Sequence, residues 1–299
     1  MTTDQVQRLP ATAPWGRRRL RGLSRLVREE PIGVVSLAFL VVAGMAAAAA
    51  PLLTPYDPYE LGPDALTGPS LSHWAGTDQY GRDVLTRILF GARVSLAVGL
   101  GAAFLSTAGA LFLGLVFTYA GGWFDYLYQR FVETVIALPS LVLLMVLVQI
   151  LGPSVLMIIV ILGILSAIRG SRIMRSAILA VKAEDYVQSA TSVGATSIRV
   201  MVKHIVPNVI ALSIVTATLQ LGSLIISEAS LSFLGLGIRP PTPSWGGMMG
   251  GDGRQYIIQA PWMLIAPAVA LCLTVIAANM AGDMLRDRLD PRLRGRGAR

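Results

Sequence analysis

The chain has 299 residues, 54% of them hydrophobic and 14% charged, with a formal net charge of +8. Soluble domains carry about 25% charged residues, so this composition excludes an ordinary soluble globule and points to a polytopic membrane protein. The Arg residues flank apolar runs and form no basic stripe with interleaved aromatics, which excludes a nucleic-acid partner.

Crossing a bilayer takes about 20 apolar residues in a helix, and six segments meet that length in chain order. The first, Ile32 to Leu53, carries no charge and is read as an uncleaved span behind a basic anchor, GRRRLRGL. The second runs from Val94 to Ala120. The uncharged stretch Thr134 to Ile168 would be roughly 50 Å long as one helix, too long for a single crossing. LGPS at 151–154 supplies a turn, so the stretch reads as a hairpin of two short spans. The fifth span runs from Ile205 to Ser227 and the sixth from Trp262 to Gly282. With the N-terminus inside, 20 of the 25 Lys and Arg fall on the inner side, which fixes both termini as cytoplasmic.

The expected organisation is an all-α membrane protein with six transmembrane helices. A basic tail covers 1–30, the first span 31–53, and an external loop with a short helix 54–93. A five-helix core covers 94–283 and includes a cytoplasmic loop at 183–204; a second basic tail covers 284–299. In the external loop, Thr77 or Asp78 would cap a helix starting near Gln79, and Asp83 and Arg87 are spaced as an i,i+4 pair. Asp78, Arg82 and Asp83 then belong either to a solvated surface helix or to a contact with another protein. Residues 228–261 are too rich in Gly and Pro for a continuous helix, and 228–249 reads as non-helical backbone lining an outer gate, a role given to Glu228, Ser232, Phe233 and Leu234.

Several chemistries lack their residues. Lys182 and Lys203 both follow valine, so neither closes a Gly-Lys-Ser/Thr phosphate loop. No HExxH or GxSxG occurs, and Cys272 with His73 and His204 makes no zinc cluster. Glu228 is the one acid placed to serve an ion-coupled carrier; lining a water-filled path and capping its span are equally open for it. A secondary carrier, an intramembrane enzyme and a scaffold are the rival classes.

The polar block 184–202 lies between apolar runs. Val187, Ala190, Val193, Ile198 and Met201 recur at near-helical spacing, with Glu184 and Asp185 at the start and Arg199 and Lys203 toward the end. Gly194 in the middle marks a break between two short helices or a close backbone approach. The block is either an interfacial helix on lipid headgroups or a knob that docks a soluble partner.

QSATSVG, nine residues, then HIVP resembles the EAA loop of ABC importer permeases, with Gln188, Ser189 and Ala190 at the EAA positions and Gly194 and Pro207 in register. Gln188 and Ser189 stand where the pattern has Glu and Ala. HWAGTDQYGRDVLTRILFGARVSL at 73–96, YAGGWFDYLYQRFVETVIALP at 119–139, ASLSFLGLGIRPPTPSWGGMM at 229–249 and GDMLRDRLDPR at 282–292 resemble the dipeptide/oligopeptide/nickel permeases of the second-subunit type. The resemblance covers nearly the whole chain beyond the N-terminal tail.

The resemblance implies a type I ABC importer permease fold and a non-catalytic subunit of a peptide importer. Its partners would be a second permease, two ATPase subunits or domains that hold ATP and Mg, and an external solute-binding protein, with no cofactor in this chain. It gives Glu184, Asp185, Tyr186, Gln188, Ser189, Ala190, Gly194, Ala195 and Arg199 to coupling with the ATPase, and Asp78, Arg82 and Asp83 to external contacts.

Overall fold

The computed structural model describes residues 30–289. The tails expected at 1–30 and 284–299 lie outside these residues, apart from Glu30 and residues 284–289. The described residues form helices α1 (Pro31–Ala48), α2 (Ala50–Leu53), α3 (Val84–Ala120), α4 (Gly122–Ala137), α5 (Ser140–Leu151), α6 (Val155–Lys182), α7 (Asp185–Ser192) and α8 (Ser197–Val200). A π turn, Met201–Ile205, leads into α9 (Val206–Phe233), followed by α10 (Trp245–Gln255) and α11 (Trp262–Leu289).

Among the described residues, five helical segments are long and apolar enough to cross a membrane: α1, α3, α6, the run α8–α9 and α11. The α4–α5 pair supplies a sixth crossing only as a bent span, because its axes turn by 95° at Leu138–Pro139. The expected hairpin therefore has its turn at Gly152–Ser154, but its first arm is broken and its second continues to Lys182. Pro139 lacks an amide proton and disfavours helix in the residue before it, which ends α4.

α3 and α6 share the most extensive interface and run parallel. Gly101, Leu105, Gly109 and Gly114 of α3 meet Ile159, Gly163, Ala167 and Met174 in turn. Small residues at this contact let the two backbones approach, which replaces the hydrophobic drive that lipid does not provide. α9 runs antiparallel to α3, with Ser95 beside Glu228, Gly99 beside Ile225 and Ser106 beside Gln220. Leu144, Val148, Ile158, Leu162, Leu224 and Leu231 are buried where α5, α6 and α9 converge. α11 closes the group, packing Gly222 of α9 against Asn279 and Gly33 of α1 against Met284.

Residues 54–83 hold no helix, and the short helix expected from Gln79 is instead the first turns of α3. Asp83 is its N-cap: Oδ2 accepts from the Thr86 amide at 2.7 Å and the Thr86 hydroxyl at 2.8 Å. Nδ1 of His73 lies 3.0 Å from Asp83 Oδ1. With Asp83 engaged this way, Arg87 pairs with Asp78 at 3.6 Å and donates to the Pro58 carbonyl at 2.9 Å, so the i,i+4 pair with Asp83 does not form. Asp83→Ala is expected to remove about 1 kcal/mol through the lost cap, with more for the stranded Thr86 donors. Thermal unfolding in detergent checks this; Asp83→Asn, which keeps an acceptor, should lose less.

Residues 228–261 form no continuous helix, as expected, with 234–244 irregular, but α10 corrects the expectation for 245–255. Its WGGMMGGDGRQ sequence is poor in helix formers, yet it forms three turns because tertiary packing decides. Ser244 Oγ accepts from the Gly247 amide at 3.1 Å as its cap. A Cβ on Gly246 would stand 2.3 Å from the Ala229 carbonyl oxygen, and one on Gly250 2.3 Å from that of Phe233. Glycine is required there so that α10 can lie directly on the end of α9.

Candidate functional sites in the helical bundle

The polar block folds into a compact projection at the ends of α3, α6 and α9. α7 ends at Ser192, and Gly194 takes a left-handed φ of 88°. The Ala195 amide donates to the Ala190 carbonyl at 3.1 Å, and the Gly194 amide to that of Thr191 at 3.0 Å. This is a Schellman cap, and it explains the glycine: an L side chain in that conformation costs about 1–2 kcal/mol. Val187 and Val200 anchor the projection, both buried against Met174, Ile178, Ile205 and Val209.

The remaining groups point away from the anchor. Glu184, Asp185, Tyr186, Gln188, Ser189, Gly194 and Arg199 are exposed, and Ala190 and Ala195 are half-buried. The geometry therefore brings all nine sequence-predicted residues into one projection. Val193 and Ile198, read from the sequence as part of an amphipathic apolar stripe, stand at the tip, 89% and 70% exposed. Tyr186 accepts from Asn208 Nδ2 at 3.1 Å, which ties α7 to the first turn of α9. Between them, Pro207 lacks the amide that would continue the i→i−4 ladder, and the chain opens into the π turn.

At the opposite end of the bundle, Asp78, Arg82 and Asp83 are buried, which corrects both the solvated-helix reading and the external-contact reading. Asp78 Oδ2 accepts from Arg82 Nε at 2.6 Å, and its Oδ1 accepts from the amides of Tyr80 and Arg82. Trp262 Nε1 donates to the Thr77 carbonyl at 3.0 Å, locking the loop to the start of α11. Among the side chains this loop exposes are Leu61, Leu71, Trp74 and Tyr80.

Glu228 is fully buried between α3 and α9. It accepts from the Ser95 hydroxyl at 3.1 Å and the Ser232 hydroxyl at 2.8 Å. The Trp245 amide donates to Ser95 Oγ at 3.4 Å and the Ile238 amide to Ser232 Oγ at 3.3 Å. Glu228 and Ser232 thus clasp the 234–244 segment onto the bundle and line no open surface, a correction to their expected place in a path or gate. Phe233 and Leu234 do reach the surface, bordering a cavity of about 240 Å³ with Ile226, Met249 and Leu271. No local signal could reveal the clasp, because Ser95 and Glu228 are 133 residues apart. Among the described residues, no three His, Cys, Asp or Glu side chains are grouped to hold a metal ion.

A helical bundle with several apolar crossings, a projecting polar helix pair at one end and an ordered loop at the other is the architecture of a polytopic membrane protein. Residues 107–295 match the family of binding-protein-dependent transport system inner membrane components, and the chain belongs to it. It is 38% identical over 289 residues to the dipeptide transport system permease protein DppC of Alkalihalophilus pseudofirmus, covering 95% of this chain and 92% of that protein. It is 38% identical over 273 residues to the glutathione transport system permease protein GsiD of Escherichia coli, covering 91% and 90%. The protein is a multi-pass inner-membrane permease component of a binding-protein-dependent ABC importer.

Proposed function

We propose that this permease imports peptides, di- or oligopeptides or glutathione-like solutes, as one half of a two-permease path. An external solute-binding protein delivers the solute, and two ATPase subunits that hold ATP and Mg drive the cycle; no cofactor belongs to this chain. Residues 183–204 are the coupling segment, both termini are cytoplasmic, and residues 54–83 and 234–261 face outward. The names of the DppC and GsiD relatives support the substrate class.

The observation that carries the coupling assignment is the α7–α8 projection. Its anchor is buried and apolar, while its tip exposes Val193 and Ile198 beside Arg199. A knob of fixed shape can favour one state of a partner over another, and only such differential contact drives a conformational switch. The distribution of basic residues supports the orientation.

Purification of the tagged chain from its native membrane in mild detergent tests the reading. A second permease and ATPase subunits are expected to co-purify, identified by mass spectrometry. A folded chain that reproducibly emerges alone, or with no ATPase, would overturn it.

A further inference from the structure

The first two helices end at an apolar edge that the loop after them continues. From Ile32 to Leu53 the chain covers about 32 Å of helical rise, against a hydrocarbon core of about 30 Å. Glu30 stands just before this run, so Leu52 and Leu53 lie at the opposite edge of the core. α1 turns Val35, Val41, Val42 and Met45 outward, and the exposed Leu52 and Leu53 extend that surface.

Leu71 and Trp74 of the loop line a cavity of about 280 Å³ together with Leu53, Tyr56 and Leu85. Leu71 is 99% exposed and Trp74 75%. Single exposed apolar side chains are ordinary, but these gather beside the end of a membrane helix.

The turn that carries them keeps its polar groups occupied internally. Trp74 Nε1 donates to the Leu71 carbonyl at 3.2 Å, so the ring takes no orphan donor outward. The Tyr56 hydroxyl donates to the Ser72 carbonyl at 3.0 Å, the Ser70 amide to the His73 carbonyl at 2.8 Å and the His73 amide to Ser70 Oγ at 3.1 Å. The one acid in the cavity lining, Asp83, is engaged by Thr86 and His73. The loop's other acids, Asp57, Glu60 and Asp64, line a second cavity with Gly62 and Gly81, so the loop has an apolar side and an acidic side. No Lys or Arg lines the Leu71 cavity, so nothing there selects an anionic headgroup.

We propose that Leu53, Leu71 and Trp74 form a phospholipid site. The 70–74 turn dips into the leaflet at this end of the bundle, the outer leaflet in the orientation given above, and the cavity takes the glycerol-proximal part of one acyl chain. The occupant is lipid because the patch continues the apolar outward surface of α1, and because tryptophan is the side chain favoured at the edge of the hydrocarbon. The site is independent of the solute carried and of coupling to an ATPase.

The assembled transporter in nanodiscs of phosphatidylethanolamine and phosphatidylglycerol tests this. A nitroxide is attached to Leu71→Cys in a Cys272→Ser background, with Glu60→Cys as the water control and Val42→Cys as the hydrocarbon control. The ratio of collisions with oxygen to collisions with a water-soluble metal chelate is expected to be at least about threefold higher at position 71 than at position 60, because apolar surroundings exclude the polar chelate. A ratio equal to that at position 60 places the turn in water, and exclusion of both reagents from an immobilised label places it against protein; either result overturns the site. Trp74→Phe then reads the depth, since it keeps an apolar ring. The emission lost in this variant, taken as the difference from the parent, should be quenched more by lipids brominated near the glycerol than by lipids brominated at the chain ends. Equal quenching by the two, or none, overturns the assigned depth.

Discussion

Glu228→Leu is expected to destabilise the protein by about 2–5 kcal/mol, because it strands two buried hydroxyls at once. Leucine fills the volume but accepts nothing from Ser95 or Ser232. Those hydroxyls also receive the amides of Trp245 and Ile238, so the loss passes to the 234–244 segment and the start of α10. Amide hydrogen exchange should rise at Ile238 and Trp245, and the thermal midpoint in detergent should fall. Glu228→Gln keeps one acceptor oxygen and is expected to stay near the parent in both measurements and to retain uptake. A Leu protein as stable as the parent would mean that the carboxyl clasps nothing. A Gln protein that is stable but dead in transport would return Glu228 to the role of an ion-coupling acid.

Five crossings were legible because lipid imposes a length and a composition that can be counted, whereas the 95° break at Leu138–Pro139 in the expected third span was not. The 151–154 turn was legible for the same reason: a Gly-Pro step inside 35 uncharged residues has no other use. The two-helix form of the polar projection was legible through Gly194, since a glycine amid good helix formers marks a cap or a close approach, and here it is the cap. What could not be read was long-range. Asp83 was spaced to pair with Arg87, yet His73 and Thr86 claim it and Asp78 takes Arg87. Likewise α10 contradicts its own helix propensity because the glycines that weaken it locally are those that let it lie on α9. Val193 and Ile198 fit an amphipathic stripe in sequence, but Val193 stands six residues beyond Val187 at the cap of α7 and Ile198 two residues before Val200 in α8, so neither shares the face of its anchoring valine.

Gly194→Trp is expected to abolish ATP-driven uptake, by tenfold or more, while the chain still inserts and folds. Nothing lies within 4 Å of where a Cβ at Gly194 would stand, so the new side chain starts into open space. Its internal cost is the left-handed φ, about 1–2 kcal/mol, confined to a cap at the tip of the projection. On the proposed coupling role, the effect arises outside the chain, in a partner surface that would receive Val193, Ile198 and Arg199. A tenfold loss of coupling corresponds to about 1.4 kcal/mol, which a misplaced aromatic ring in a close-packed contact readily exceeds. Gly194→Asn separates the two causes: asparagine tolerates the same φ and is small, so uptake should be largely retained. Loss with both variants would assign the effect to the backbone cap, and uptake at the parent rate with tryptophan would remove residues 183–204 from the coupling interface. Co-purification of the ATPase subunits with each variant then identifies the step: the knob that fails to dock loses its ATPase, and the knob that docks without transmitting motion keeps it.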